Sequence, residues 1–245
     1  MILFTSDPAL IFTQGAMTWI FTALSFLLGI LMFQKYYQYK DKQLLLVGVT
    51  WIFLTTPWWG DAITFVYYIA TSEVLPDPIY FFLANAFIAP IFYTWPKTIG
   101  ELVIEDKPRL KKAIRSILML WAIIFEIAFV SIFFIDPNLI GLRKDYYIAD
   151  WAWFVSTFIL SGSLLLTITG MVFSYKAITS EKPTIQLKGI FLMDAFLVFS
   201  VATFLEVLLD VMPIVIIARI LGISAALCFY IGFVLPKFIR KRFGL

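Results

Sequence analysis

Long apolar runs alternate with short polar segments along the whole chain. The runs are about 20 residues or longer, which is the length that an α-helix needs to cross the hydrocarbon core of a bilayer. They lack the residue-by-residue alternation of a transmembrane β-strand. The pattern predicts an all-α polytopic membrane protein, a single seven-helix bundle over residues 1–245 without a soluble domain. The predicted helices cover about residues 9–33, 44–70, 78–95, 116–135, 152–175, 189–209 and 213–235.

The composition agrees with this class, since 62% of the residues are hydrophobic and only 14% are charged. A soluble domain of this composition would lack the polar side chains that its surface needs. We therefore expect an integral membrane protein whose main partner is the lipid bilayer.

Positive charge is distributed unevenly between the two sides of the predicted bundle. Of the 19 Lys and Arg residues, 16 lie in four segments on one side, residues 35–43, 96–115, 176–188 and 237–242. The opposite side has Arg143 and Lys144, and Arg219 falls inside a predicted helix. Because Lys and Arg are enriched in cytoplasmic segments, the N-terminus is predicted outside and the C-terminus in the cytoplasm.

Several classes of function are disfavoured by residues that the sequence lacks. There is no histidine, which removes histidine-ligated haem, copper or zinc and histidine general-base chemistry. The lysines lie in loops or at helix edges, whereas a retinal protein needs one deep in a helix. The net charge of +3 comes from helix ends, so it indicates membrane orientation rather than nucleic-acid binding. We expect a protein that is not an enzyme, with no cofactor and no bound metal.

Charged side chains inside the predicted helices are the candidates for function. Near the centre of a membrane helix each costs at least about 2.5–3.5 kcal/mol, so it needs a partner inside the bundle. Counting along the helices places four polar residues in the outer half of the membrane, Asp61, Asn85, Glu206 and Arg219, with Glu126 nearer the middle.

These positions predict an outward-facing polar pocket with Arg219 at its centre, held by Glu206 and Asp61. Pro57, which is expected to kink the second helix, and the two tryptophans after it would shape one wall. Carboxylates outnumber the single Arg, so the pocket would bind a cation or hold protons. The candidate ligand-binding residues are Asp61, Asn85, Glu126, Glu206, Arg219, Trp58 and Trp59.

A purely structural interpretation of the same charges stays open. Arg219 with Glu206 or Asp210 would then close the turn between the last two helices. Asp194 is closer to the cytoplasmic side than Glu206, and it either belongs to a second, inner site or pairs with Lys188.

The end of the last helix, Phe229-Tyr230-Ile231-Gly232-Phe233-Val234-Leu235-Pro236-Lys237-Phe238-Ile239-Arg240, carries a family resemblance. Its Gly-Phe-x-x-Pro-basic-aromatic pattern resembles the end of the seventh helix in seven-helix sensor modules of prokaryotic signalling proteins. The resemblance implies a sensor in a prokaryotic cell membrane. Since the sequence reaches Leu245 without a kinase or other output domain, it also implies signalling through a separate cytoplasmic or membrane protein.

Three functions follow from these observations. The first is a receptor or sensor with an outer pocket for a small molecule or a proton. The second is a small transporter of three-plus-one-plus-three helices, favoured by Pro-Lys at both 96–97 and 236–237. The third is a non-catalytic subunit of a membrane complex, for which the small residues of the fifth helix offer a contact face or merely internal packing. These are Ser156, Ser163, Thr167, Gly170 and Ser174.

Overall fold

The structure, a computed structural model, describes residues 7–103, 107–209 and 212–245, which are mostly helical. The helices are α1 (Pro8–Tyr39), α2 (Lys42–Leu54), α3 (Trp59–Thr71), α4 (Asp77–Asn85), α5 (Ile91–Val103), α6 (Pro108–Ile135), α7 (Trp153–Ile178), α8 (Pro183–Leu208), α9 (Met212–Val234) and α10 (Lys237–Arg242). Five of them, α1, α6, α7, α8 and α9, are long and apolar enough to cross a membrane. The expectation of a helical membrane protein is thereby confirmed.

The predicted second helix is broken near its middle. Helix α2 ends at Leu54, a 3₁₀ turn follows over Thr56–Trp58, and α3 begins at Trp59. Pro57 causes the break, because it has no backbone N–H and its ring clashes with the preceding turn. The Thr55 hydroxyl donates to the Ile52 carbonyl at 2.8 Å, which satisfies one of the carbonyls near the break.

The predicted third helix, 78–95, is wrong in its continuity and in its end. Helix α4 ends at Asn85 and α5 begins only at Ile91, after a stretch that contains Pro90. Helix α5 then continues through Pro96 to Val103, whereas the predicted helix ended at residue 95. The side chains of Trp95 and Ile99 are 4% exposed on either side of Pro96, so packing holds the helix despite the lost hydrogen bond.

Most of the long helices extend further than their apolar runs. Helix α1 continues to Tyr39 instead of residue 33, α6 starts at Pro108 instead of residue 116, and α8 starts at Pro183 instead of residue 189. Hydropathy marks the hydrocarbon thickness, whereas Lys- and Arg-rich turns continue a helix beyond it.

A β-hairpin stands where the sequence predicted an irregular loop, so the all-α description covers the helices but not this segment. Strand β1 (Gly141–Asp145) pairs antiparallel with β2 (Ile148–Trp151), and Gly141 lies opposite Trp151. The inward positions of β1 are Gly141 and Arg143, which alternate with exposed neighbours. We call this end of the bundle the hairpin end, and the opposite end, where α9 passes into α10, the α10 end.

Small residues let the helices approach closely. A Cβ added to Gly170 would lie about 2.5 Å from the ring of Phe196, which is 1% exposed. The Thr167 and Ser200 hydroxyls form a hydrogen bond across the same contact. Two of the small residues of the predicted fifth helix, Thr167 and Gly170, therefore pack α7 against α8.

Candidate functional site

Arg219 of α9 lies at the point where α3, α8 and α9 meet. One guanidinium nitrogen, Nη2, donates to Asp61 Oδ2 of α3 at 2.5 Å, and Nη1 lies 2.7 Å from Glu206 Oε1 of α8. Arg219 and Asp61 are each 2% exposed. Arg219 therefore connects three helices, α3, α8 and α9. Charge-assisted hydrogen bonds of this kind are about twice as strong as neutral ones.

Asp61 has a second partner on a fourth helix. The hydroxyl of Tyr80, on α4, donates to Asp61 Oδ1 at 2.6 Å. The break at Pro57 places Asp61 in the first turn of α3, where the helix dipole favours a negative charge. Both carboxylate oxygens of Asp61 are therefore hydrogen-bonded, each to a different helix.

Glu206 is the more accessible acid, with 20% of its side chain exposed. Its Oε2 accepts a hydrogen bond from the Trp58 indole N–H at 2.7 Å and one from Arg219 at 2.8 Å. The Trp58 ring packs edge-on against Phe21, and the Arg219 guanidinium carbon is 5.9 Å from its ring centre. The Trp58 indole thus holds the Glu206 carboxylate in place, while part of that carboxylate stays accessible.

A cavity of about 30 Å³ borders these groups. Its walls include Trp58, Asp61, Tyr80 and Glu206, and the turn and second strand of the hairpin cover it with Tyr147 and Trp151. A buried water molecule needs a cavity of at least about 10–15 Å³, so this cavity has room for about two water molecules. Sites for drug-sized molecules are about 300–1,000 Å³, so the conformation described is closed to them.

Two acids, Asp61 and Glu206, line the cavity, and both contact the guanidinium of Arg219. A second guanidinium, that of Arg143, lies 4.3 Å from the ring centre of Tyr80. The Tyr147 phenol stays a neutral group, because burial raises its pKa well above the ordinary value. Within the described residues, neither the Tyr147 hydroxyl nor Arg219 Nε has a hydrogen-bond partner, which suits a cavity that contains water.

The structure brings together four of the seven candidate ligand-binding residues: Trp58, Asp61, Glu206 and Arg219. The other three have different contacts. The side chain of Asn85 donates to the Phe81 carbonyl at 2.9 Å within α4. The Trp59 indole donates to Thr55 at 3.2 Å.

Glu126, the third of these, lies on α6 beside the break between α4 and α5. Its carboxylate is close to the backbone of Ala89, a residue of that break. A broken helix leaves backbone N–H groups without intrahelical partners. Glu126 therefore lies beside this break and not in the Arg219 cluster.

The sequence analysis also made predictions for Asp210 and Asp194. Asp210 lies outside the described residues. Asp194 does not pair with Lys188, whose ammonium group donates to the Phe233 carbonyl at 3.2 Å instead. Asp194 is exposed on α8 and accepts a hydrogen bond from the Cys228 thiol at 3.2 Å.

Arg143 and Tyr80 are the residues that the sequence interpretation missed. Arg143 is 1% exposed, and it donates to the carbonyls of Leu75 and Tyr146 at 2.6 Å each. Its guanidinium carbon lies 4.3 Å from the ring centre of Tyr80, the donor to Asp61. In the sequence Arg143 sits in a short segment of mixed charge, beside tyrosines that are typical of a membrane interface, so its burial was not predicted.

No family model, curated protein or solved structure matches the chain.

Proposed function

We propose that the chain is a seven-span membrane sensor that detects protons reaching the Asp61–Arg219–Glu206 cluster from outside and signals through a separate protein. The observation that carries the proposal is the cavity beside Glu206, which has room for water but not for an organic ligand. Two carboxylates share the guanidinium of Arg219 there, so the cluster has more than one group that could take up a proton.

Seven spans require that α2 with α3, and α4 with α5, each cross the bilayer as one interrupted helix. Residues 42–71 and 77–103 would extend about 45 Å and about 40 Å at 1.5 Å per residue, more than the roughly 30 Å of the hydrocarbon core. Together with the five long helices they make seven. The 16 Lys and Arg residues in segments at the α10 end favour a cytoplasmic location for that end.

The cluster is suited to transmit a local protonation because it ties helices together. Loss of the charge on Glu206 would release α8 from Arg219 of α9 and leave Asp61 as the remaining charged partner. Helix α9 leads directly into α10, so a change in its position reaches the α10 end. A two-state change of this kind is what a sensor needs to pass a signal to its partner.

The transporter interpretation has less support. An internal three-plus-one-plus-three repeat would pair the second and third spans with α8 and α9. The second and third spans are broken at Pro57 and near Pro90, whereas α8 and α9 are continuous over the residues described. Transporter sites of this type are formed by interrupted helices in both halves.

The proton-sensing proposal predicts that Glu206→Gln fixes the α10 end in its acid state. A fluorophore is attached to a cysteine introduced at Phe243, which is exposed beyond α10, in a Cys228→Ser background. In vesicles, acidifying the hairpin side should change the emission of the otherwise wild-type protein. The Glu206→Gln protein should already show the acid-state emission at neutral pH, since glutamine has the shape of the protonated acid.

Glu73→Gln is the matched control, because Glu73 is an exposed acid at the same end of the bundle. The control should respond to acid as the otherwise wild-type protein does. If Glu206→Gln also responds unchanged, the cluster is not the proton site and the proposal is wrong.

A second candidate function, a subunit of a membrane complex, is favoured by the position of Asp194. It is the twelfth of the 26 residues of α8 and exposed on the outside of the bundle. At 1.5 Å per residue it lies about 17 Å and about 21 Å from the two helix ends, well inside the hydrocarbon layer. Acids at such depth normally face the protein interior, so this one indicates a partner helix with a cation or a hydrogen-bond donor.

The adjacent Cys228, the single cysteine of the chain, gives a direct test. A photo-crosslinker on Cys228 in native membranes should yield one protein adduct of defined mass, and Asp194→Leu should remove it. The control is Cys228→Ser with Ile123→Cys, which puts the label on an exposed position of α6. Equal adducts at both positions, or an adduct that survives Asp194→Leu, would exclude a partner bound through Asp194.

A further inference from the structure

Two lysines converge on the last turn of α9 at the α10 end, and a third cation, Arg240, lies near them. Lys35 of α1 and Lys188 of α8 both donate to the carbonyl of Phe233, each at 3.2 Å. Their ammonium nitrogens are therefore at most 6.4 Å apart, the sum of those two distances. Arg240 of α10 is close enough for its charge to act on both lysines.

Capping explains part of this arrangement, since Lys side chains bind the free carbonyls at a helix C-terminus. One carbonyl does not require two ammonium groups with a guanidinium nearby. Over the residues described, no carboxylate forms an ion pair with Lys35, Lys188 or Arg240. Like charges held this close repel one another, and an anion between them would remove the repulsion.

An apolar cavity of about 430 Å³ opens beside the same carbonyl. Its floor, the apolar part of its lining, comprises side chains of α2, α7, α8 and α9, among them Val47, Phe173, Leu192 and Phe233. Lys176 and Lys188 also line the cavity. Asp41 also borders the cavity, and its carboxylate accepts the Gln43 backbone N–H as the N-cap of α2. The volume suits part of an acyl chain rather than water.

We propose that this place binds one anionic phospholipid, with its phosphate among Lys35, Lys188 and Arg240 and an acyl chain in the adjoining cavity. Basic pockets between membrane helices are suited to anionic headgroups. The apolar floor favours a lipid over a free phosphate compound, because a soluble anion would leave the cavity unfilled. The site is some distance from the Arg219 cluster, at the other end of α9, and it does not depend on which side of the membrane that end faces.

The test is a thermal-stability titration of the purified full chain in micelles. The added compounds are phosphatidylglycerol, phosphatidylcholine with the same acyl chains, and soluble glycerol phosphate. Phosphatidylglycerol should raise the melting temperature saturably, and the other two should not. Equal stabilisation by phosphatidylcholine would exclude a headgroup site, and full stabilisation by glycerol phosphate would exclude the lipid as the source of the anion.

The variants assign the effect to the three cations. Lys35→Gln with Lys188→Gln should bind phosphatidylglycerol about 25-fold more weakly, because each cation near an anionic headgroup contributes about fivefold. Glutamine still donates to the Phe233 carbonyl, and Lys35→Arg with Lys188→Arg should keep the wild-type affinity. Arg240→Gln, outside the helix cap, should weaken binding about fivefold by itself.

The matched control is Arg109→Gln with Lys112→Gln, which removes two charges from exposed positions of α6 at the same end. This pair should bind phosphatidylglycerol like the wild type. A loss equal to that of the Lys35 and Lys188 variant would mean a diffuse charge effect and would overturn the proposal. Wild-type affinity in both the double lysine variant and Arg240→Gln would overturn it too.

Discussion

Arg219→Gln is expected to destabilise the protein by about 3–5 kcal/mol, the usual cost of breaking a buried ion pair by removing one partner. The substitution leaves Asp61, which is 2% exposed, without its cationic partner, and it removes the charge that Glu206 contacts at 2.7 Å. Unfolding in mixed micelles, followed by the loss of helical signal as denaturant rises, measures the change in free energy.

A double-mutant cycle separates this ion pair from general packing. Asp61→Asn combined with Arg219→Gln leaves two neutral groups that can still hydrogen-bond, so it should be less destabilising than the sum of the two single variants. Arg242→Gln, on exposed α10, is the control and should change the free energy by less than about 0.5 kcal/mol. Additive single effects would show that Arg219 and Asp61 do not interact.

Three residues of this cluster could be predicted from the sequence because a charge inside a membrane is costly. Asp61, Glu206 and Arg219 stand in long apolar runs, so each needed a partner inside the bundle, and only residues at similar depth qualified. No comparable argument existed for Tyr80, because a tyrosine in an apolar helix is satisfied by lipid interface, packing or a hydrogen bond.

The two prolines of the third predicted helix show why its course was not predictable. Pro90 lies in the interruption, whereas Pro96 stands inside α5. The chemistry of the residue is the same, and the outcome depends on the tertiary packing of its neighbours. A local rule on proline therefore locates a weak point in a helix without deciding whether the helix stops there.

The hairpin was missed for a different reason. Residues 141–151 are mixed in charge and short, and such a segment reads as a loop unless its contacts are known. Arg143 was counted as one of two positive charges on the outer side. Its burial depends on carbonyl groups of Leu75 and Tyr146 that only the fold brings within 2.6 Å.

Arg143→Gln is expected to release the hairpin from the bundle, at a cost of about 3–5 kcal/mol for leaving a buried polar network without its cation. Glutamine has one amide donor group in place of the five N–H donors of the guanidinium fork. It cannot reach the carbonyls of Leu75 and Tyr146 together, and the contact with the ring of Tyr80 is lost. Hydrogen exchange of the hairpin amides in micelles, measured by mass spectrometry, should become faster.

Lys144→Gln, at the next position, is the control for this change. Lys144 lies 3.2 Å from Asp150, with side chains 42% and 60% exposed, and such surface pairs contribute about 0–1 kcal/mol. In Lys144→Gln, hydrogen exchange of the hairpin amides should stay as in the wild type. Arg143→Gln, by contrast, should also loosen Tyr80 and so weaken the hydrogen bond that Tyr80 donates to Asp61. If Arg143→Gln leaves both hairpin exchange and stability unchanged, the hairpin is held by its aromatic contacts, and Arg143 does not secure the cover of the cavity.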